Sequence, residues 1–125
     1  MNPAVHFEMA YDNKDRAMKF YQDVFGWQIQ DMPEMKYTMV YTTEVDDKRM
    51  PKKVACINGG MMPRAQNEQC VLVMNVPSVD EAMEKIKAAG GMEIMPKMQV
   101  GDMGWYARAK DTEGNVIGVW EDIKK

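Results

Sequence analysis

The chain holds one histidine, His6, so any imidazole acid–base chemistry must run through it. An unperturbed imidazole titrates near neutrality, which suits a catalytic acid or base touching a ligand. It equally suits a ring set in a pocket wall or partly buried. Glu8 follows two residues later on the same face of an extended strand, a neighbour along that face rather than a close partner. Asn58 precedes Gly59-Gly60, where an amide serves either a turn or a bound ligand. Trp105, Tyr106, Arg108 and Trp120 gather toward the C-terminal end. Aromatic walls with one cation suit a flat or anionic small molecule, and the same residues suit a core or dimer contact as well. Cys56 and Cys70 both sit in apolar runs, which predicts buried free thiols rather than a disulfide scaffold. There is no phosphate loop, nucleophile elbow, paired-cysteine metal motif or nucleic-acid module.

The elements that must position these residues come from an internal repeat. Residues 5–29 laid over residues 70–94 give identities at a constant offset of 65: Met9/Met74, Asp15/Asp80, Ala17/Ala82, Met18/Met83, Gly26/Gly91 and Ile29/Ile94. Asn13 and Ser78 also coincide, and both residue types cap helix N-termini well. In the first copy, residues 5–10 alternate as a half-buried strand, with Val5, Phe7 and Met9 opposite His6, Glu8 and Ala10. A helix capped by Asn13 follows, with Ala17, Phe20, Tyr21 and Val24 on one stripe, and Gly26 stops it. Strands are expected at 27–30, 37–44 and 54–58. In the second copy a strand at 70–76 leads into a helix at 78–89, stopped by Gly90-Gly91. Strands are expected at 92–98, 105–110 and 116–120, the last two joined by the turn Asp111-Thr112-Glu113-Gly114-Asn115.

This pattern predicts an α+β fold of two tandem βαβββ modules forming U-shaped mixed sheets. The expected division is one domain over 1–125, with module 1 at about 4–59, a linker at about 60–68 and module 2 at about 69–121. Strand parity puts His6, Asn58, Val71 and Gly118 opposite the helix-packed Phe7, Ile57, Leu72 and Ile117, lining a concavity. Trp120 shares the Gly118 face, and its neighbour strand presents either Tyr106 and Arg108 or Trp105 and Ala107 beside it.

Composition sets the outer bounds. The 125 residues are 46% hydrophobic and 28% charged, with a formal net charge of −3, which argues against nucleic acid or an anionic membrane as partner. Lys52-Lys53 and Lys124-Lys125 read as solvated surface pairs. No apolar run approaches the roughly 20 residues of a membrane span, and the first residues show no signal-peptide pattern, so a cytoplasmic location is expected. The 15 methionines are flexible, polarizable fillers, most of them expected in the core.

The run His6-Phe7-Glu8-Met9, with Ala17-Met18-Lys19-Phe20-Tyr21-Gln22-Asp23-Val24-Phe25-Gly26-Trp27, resembles the opening of the vicinal oxygen chelate superfamily, the glyoxalase / bleomycin-resistance / extradiol-dioxygenase group. The segment Ile57-Asn58-Gly59-Gly60-Met61-Met62 and the ending Asp111-Thr112-Glu113-Gly114-Asn115-Val116-Ile117-Gly118-Val119-Trp120 extend the resemblance to a glyoxalase-like subgroup. It implies the paired modules derived above and a homodimer. It also implies a divalent metal held by one ligand from each of four strands, polarising an oxygen-bearing substrate. Carried onto this chain, the four positions are His6, Asn58, Val71 and Gly118. Only His6 is a strong ligand, and a catalytic metal needs about three protein ligands with an open position. Glu8 and Glu121 do not replace the missing donors.

The expected function is therefore binding of a small aromatic or hydrophobic molecule without a catalytic metal, through His6, Glu8, Asn58, Arg108 and Trp120. The alternatives are a lyase or isomerase of the glyoxalase type, using His6 as base or a rebuilt metal site, and a regulatory or partner-binding module.

Overall fold

Asn13 and Ser78 each do what the repeat assigns to them. In a computed structural model describing residues 1–65 and 67–123, the Asn13 side chain accepts from the Arg16 backbone N–H and opens α1 (Lys14–Phe25). Ser78 accepts from the Glu81 backbone N–H and opens α2 (Val79–Ala88). Gly26 ends α1 at φ +68°, a left-handed conformation that glycine adopts without steric cost. Lys124 and Lys125 lie outside the described residues.

Two compact units divide the chain, residues 6–70 and residues 71 onward with 1–5. In the first, β1 (Ala4–Tyr11) precedes α1, and β2 (Gln28–Met32), β3 (Tyr37–Tyr41) and β4 (Gly59–Pro63) follow it. The strands lie in the order β2-β3-β4-β1, with β4 parallel to β1 and antiparallel to β3. The second holds β5 (Cys70–Asn75), α2, β6 (Met92–Val100), β7 (Gly104–Lys110) and β8 (Val116–Asp122). Its order is β5-β8-β7-β6, with β8 parallel to β5 and antiparallel to β7. Each half is thus a βαβββ module with a mixed sheet, and the fold class is α+β. Among the described residues, no helix is long and apolar enough to cross a membrane.

Each helix covers one face of its own sheet. Phe7, Val40 and Met61 form the first core, with Ala17, Tyr21, Trp27 and Ile57 against it. Val76, Val79, Met83, Ala107, Ala109 and Val119 form the second, with Trp105 and Ile117 against it.

Three local expectations are corrected. The last strand of the first module is Gly59–Pro63, not 54–58, so it occupies the start of the expected linker. Val54 is 91% exposed and Ala55 takes φ +66°, a turn conformation that stops strand pairing there. On α1, Ala17 and Tyr21 face the sheet, but Phe20 and Val24 are 53% and 56% exposed. The buried stripe is narrower than its spacing suggests, and Trp27 stacks on Tyr21 against the core, at 4.8 Å between centroids and 8° between planes. Leu72, expected under a helix, is half exposed.

Candidate functional site

Strand parity turns Phe7 toward α1 and leaves His6 and Glu8 on the opposite face of the first sheet. Tyr37, at the start of β3, lies across that face over Gly60, so close that a Cβ on residue 60 would collide with the phenol ring. Its hydroxyl is 2.9 Å from His6 Nε2 and donates to Glu8 Oε2, also at 2.9 Å. A hydroxyl has one proton to give. With that proton on Glu8, the Tyr37 oxygen accepts from His6 Nε2–H, which leaves Nδ1 as the imidazole's acceptor. The His6 and Tyr37 rings run nearly parallel, 6.4 Å apart and 22° between planes. Burial lowers the His6 pKa, and the Glu8 carboxylate pulls it partly back. His6 is therefore held as neutral imidazole at neutral pH. As expected from their spacing, His6 and Glu8 do not pair directly; Tyr37 bridges them. Tyr37 is a site residue that motif reading missed, although the alternation Tyr37, Met39, Tyr41 carries the signal.

Asn58 stands one residue before β4. Ile57 packs on the α1 side, so Asn58 turns to the other, and the pairing of Phe7 with Gly59 brings it beside His6. The Thr42 backbone N–H donates to Asn58 Oδ1 at 2.8 Å, and Thr42 Oγ1 donates to the Ile57 carbonyl at 2.7 Å. Asn58 Nδ2 is buried and, among the described residues, has no hydrogen-bond partner. Leaving a buried amide N–H unpaired costs about 1–3 kcal/mol.

In the second sheet the open alternative at β7 is resolved. Trp105 and Ala107 pack on the α2 side, so Tyr106 and Arg108 share the face of Gly118 and Trp120. Tyr106 lies over Gly118, where a Cβ would come within 2.7 Å of its hydroxyl. Arg108, 2% exposed, donates from Nε to that hydroxyl at 2.8 Å. The Tyr106 and Trp120 rings are 6.5 Å apart, and Trp120 Nε1 donates to Asp122 Oδ1 at 2.9 Å. Tyr106 thus repeats in the second module what Tyr37 does in the first, a phenol laid over a glycine of the next-paired strand. Gly118 pairs with Val73 rather than with Val71, so the two positions aligned from the resemblance are out of step by two residues in their own sheet.

A metal does not fit these residues. His6 Nε2 is held by Tyr37 and Asn58 Oδ1 by Thr42, while Val71 and Gly118 carry no side-chain donor. Glu121 Oε1 accepts from the Val79 backbone N–H at the start of α2, on the helix side of its sheet. Among the described residues, no three His, Cys, Asp or Glu side chains form a set able to hold a metal ion.

The thiols are free but not buried as expected. Cys56 is partly exposed and Cys70 exposed, because each lies at or before a strand start, outside both cores. Desolvation nonetheless raises the Cys70 pKa, which keeps the thiol protonated. A hollow of about 330 Å³ is lined by Met1, Pro3, Asn75, Pro77, Glu121 and Asp122, among other residues of the second unit, and includes none of the expected site residues. Three of its polar side chains are engaged: Asn75 donates to Asp122, and Glu121 caps α2.

The fold, two βαβββ modules with mixed sheets, is that of the glyoxalase/bleomycin-resistance proteins. Residues 4–43 match the family model of the bleomycin resistance protein-like N-terminal region. A Mycobacterium tuberculosis protein that bears a glyoxylase name, CFP32, is 28% identical over 112 residues, which cover 87% of this chain and 41% of that protein. The chain thus spans less than half the length of the curated relatives it matches. A solved glyoxalase/bleomycin resistance protein/dioxygenase superfamily member from Vibrio splendidus shares the fold with a TM-score of 0.64, at 8% identity over 98% of this chain and 100% of that one. Streptomyces coelicolor methylmalonyl-CoA epimerase shares it at 0.62, with 13% identity over 97% of each chain. Residues 4–43 thus resemble the bleomycin resistance protein-like N-terminal region, and the fold is the one seen in a glyoxalase/bleomycin resistance protein/dioxygenase superfamily member.

Proposed function

We propose that this chain binds a small aromatic or hydrophobic molecule on the sheet face that bears His6, Tyr37, Glu8 and Asn58, and that it does so without a catalytic metal. The observation that carries this reading is the state of the donors. The single imidazole is bonded to a tyrosine through Nε2 and the amide oxygen accepts from a backbone N–H, and the other two positions where the resemblance implies metal ligands, Val71 and Gly118, carry no donor. Rings, one buried carboxylate and neutral polar groups remain, which is the chemistry of a small-molecule site. Arg108 and Tyr106, both buried, share one face of the second sheet with Trp120.

Elemental analysis of purified protein, followed by thermal melting with a panel of aromatic compounds, tests this. The expected result is no stoichiometric metal and a raised Tm with at least one compound. One tightly held nickel, zinc, manganese or iron ion per chain would sink the reading.

The lowered His6 pKa supports a second reading, a lyase or isomerase of the kind that the relative's glyoxylase name suggests, with neutral His6 as the base. In that case His6→Ala abolishes turnover of an aldehyde–thiol adduct. Turnover unchanged by the substitution removes His6 from that role.

A further inference from the structure

We propose that the face of the second sheet bearing Met92, Met95 and Met98 of β6, with Lys110 of β7 at its end, binds a medium-chain alkyl carboxylate, its tail along the thioethers and its head at Lys110. The surface lies wholly in the second unit and is independent of the reading above.

In a regular strand, side chains three residues apart point to opposite faces. Met92, Met95 and Met98 do not. β6 gains one residue over β7 between Glu93 and Met95 and another between Met95 and Met98, so the three methionines pair in turn with Lys110, Arg108 and Tyr106. Residues directly opposite on paired strands share a face, and α2 covers the other face, with Trp105, Ala107 and Ala109. Two bulges thus bring three thioethers onto one face, as bulges do when they re-aim a side chain. The fold does not demand them: β2, the matching edge strand of the first module, pairs with β3 without a shift. Met92 is 63% and Met98 48% exposed, so these two thioethers are not core filler. Flexible, polarizable methionine side chains adapt readily to an apolar ligand.

Charge selects the head group. Glu93 pairs with Ala109 and Gln99 with Trp105, so the carboxylate of β6 sits on the α2 side. Lys110 is exposed, and among the described residues no carboxylate pairs with it. Arg108, at the middle level, is buried beneath a ligand's reach. At the far end Asp122 pairs with Gly104 and is held by Asn75 and Trp120. The face therefore has a fixed direction: a cation, a run of thioethers, then a carboxylate. From the level of Lys110 to that of Tyr106 is roughly 14 Å along the strand, the reach of an extended decanoate chain. An anionic head is attracted at Lys110, and an ammonium head is repelled there.

The test titrates decanoate and decylammonium, one chain with opposite heads, into the full chain with labelled methionine methyls, below the concentration at which either amphiphile aggregates. The net charge of −3 by itself favours the cation. The expected preference for decanoate, about 2- to 5-fold for one exposed ion pair, runs against it. Lys110→Gln should erase that preference. Met92→Gln with Met98→Gln keeps side-chain length at two exposed positions and should weaken decanoate binding about 5-fold or more. In the native protein the Met92, Met95 and Met98 methyl signals should move, while those of Met35 and Met50, exposed in the first unit, stay fixed. Equal or tighter binding of decylammonium, or equal movement of Met35 and Met50, overturns the assignment. An absence of any shift with decanoate also overturns it, and leaves standing the small-molecule reading, which concerns His6 and its neighbours.

Discussion

Tyr37 lies across Gly60, and its hydroxyl takes the space that a side chain at residue 60 would need. The glycine is a steric requirement of the site: only its bare backbone lets the phenol settle onto the sheet and reach His6 and Glu8 together. Gly60→Ala must push Tyr37 off its seat. We expect a loss of about 1–3 kcal/mol in urea unfolding, the usual cost of overpacking, with the Tyr37 bonds lost as well. Gly118→Ala makes the same collision with Tyr106 in the second sheet and should cost a similar amount. A stability unchanged by Gly60→Ala would contradict the packing described here.

Removing the hydroxyl without the ring isolates the bridge. Tyr37→Phe leaves the aromatic packing over Gly60 intact but deprives buried Glu8 of a donor and His6 of an acceptor. The expected destabilisation is about 1–3 kcal/mol, read from chemical denaturation. The His6 titration, followed by its imidazole proton resonances, should move as well. A merely space-filling tyrosine would leave that titration in place.

The depressed His6 pKa sets the sign of a pH dependence. Its ordinary value is 6.5, and burial holds the folded-state value below that. Between the two values the unfolded chain binds more protons than the folded one, so stability falls as pH drops through this window and levels off below the folded value. We expect the unfolding midpoint to decline as the solution is acidified from neutrality past 6.5. His6→Gln should flatten that decline. The lowered carboxyls of Asp31, Asp46 and Asp111 contribute as the pH falls below their ordinary value of 3.8.

On α1, two aromatic positions one residue apart should behave oppositely. Tyr21 stacks on Trp27 against the core, and Tyr21→Ala should cost on the order of 2–4 kcal/mol. Phe20 is exposed, and Phe20→Ser should change stability by no more than about 0.5 kcal/mol. Thermal melts of the two variants side by side check this. A large loss from Phe20→Ser would mean that the ring is covered in solution.

Much of this protein can be read along the chain. The helix caps at Asn13 and Ser78, the stop at Gly26 and the alternation of His6 and Glu8 against Phe7 depend on neighbours within a few residues, so local pattern is sufficient. Gly59–Pro63 could not be read that way. Two glycines and a proline carry almost no strand propensity, and the segment is a strand because β1 and β3 supply hydrogen bonds on both sides. The exposed Cys70 and Leu72 were misjudged for a related reason: an apolar run shows that a segment is extended but not how much of each side chain its neighbours cover.

The sequence by itself determined the repeat, the module order and the face on which His6, Asn58 and Gly118 fall, because all three follow from period and offset. It could not decide what those residues touch. That Tyr37 joins His6 to Glu8, that Tyr106 and Arg108 rather than Trp105 share the face of Trp120, and that Thr42 claims one end of Asn58 and leaves the other unmatched were decided by the tertiary structure. Each of these contacts spans strands whose register is fixed by hydrogen bonding across the sheet, and a register shift of one residue would reverse the face of every side chain involved.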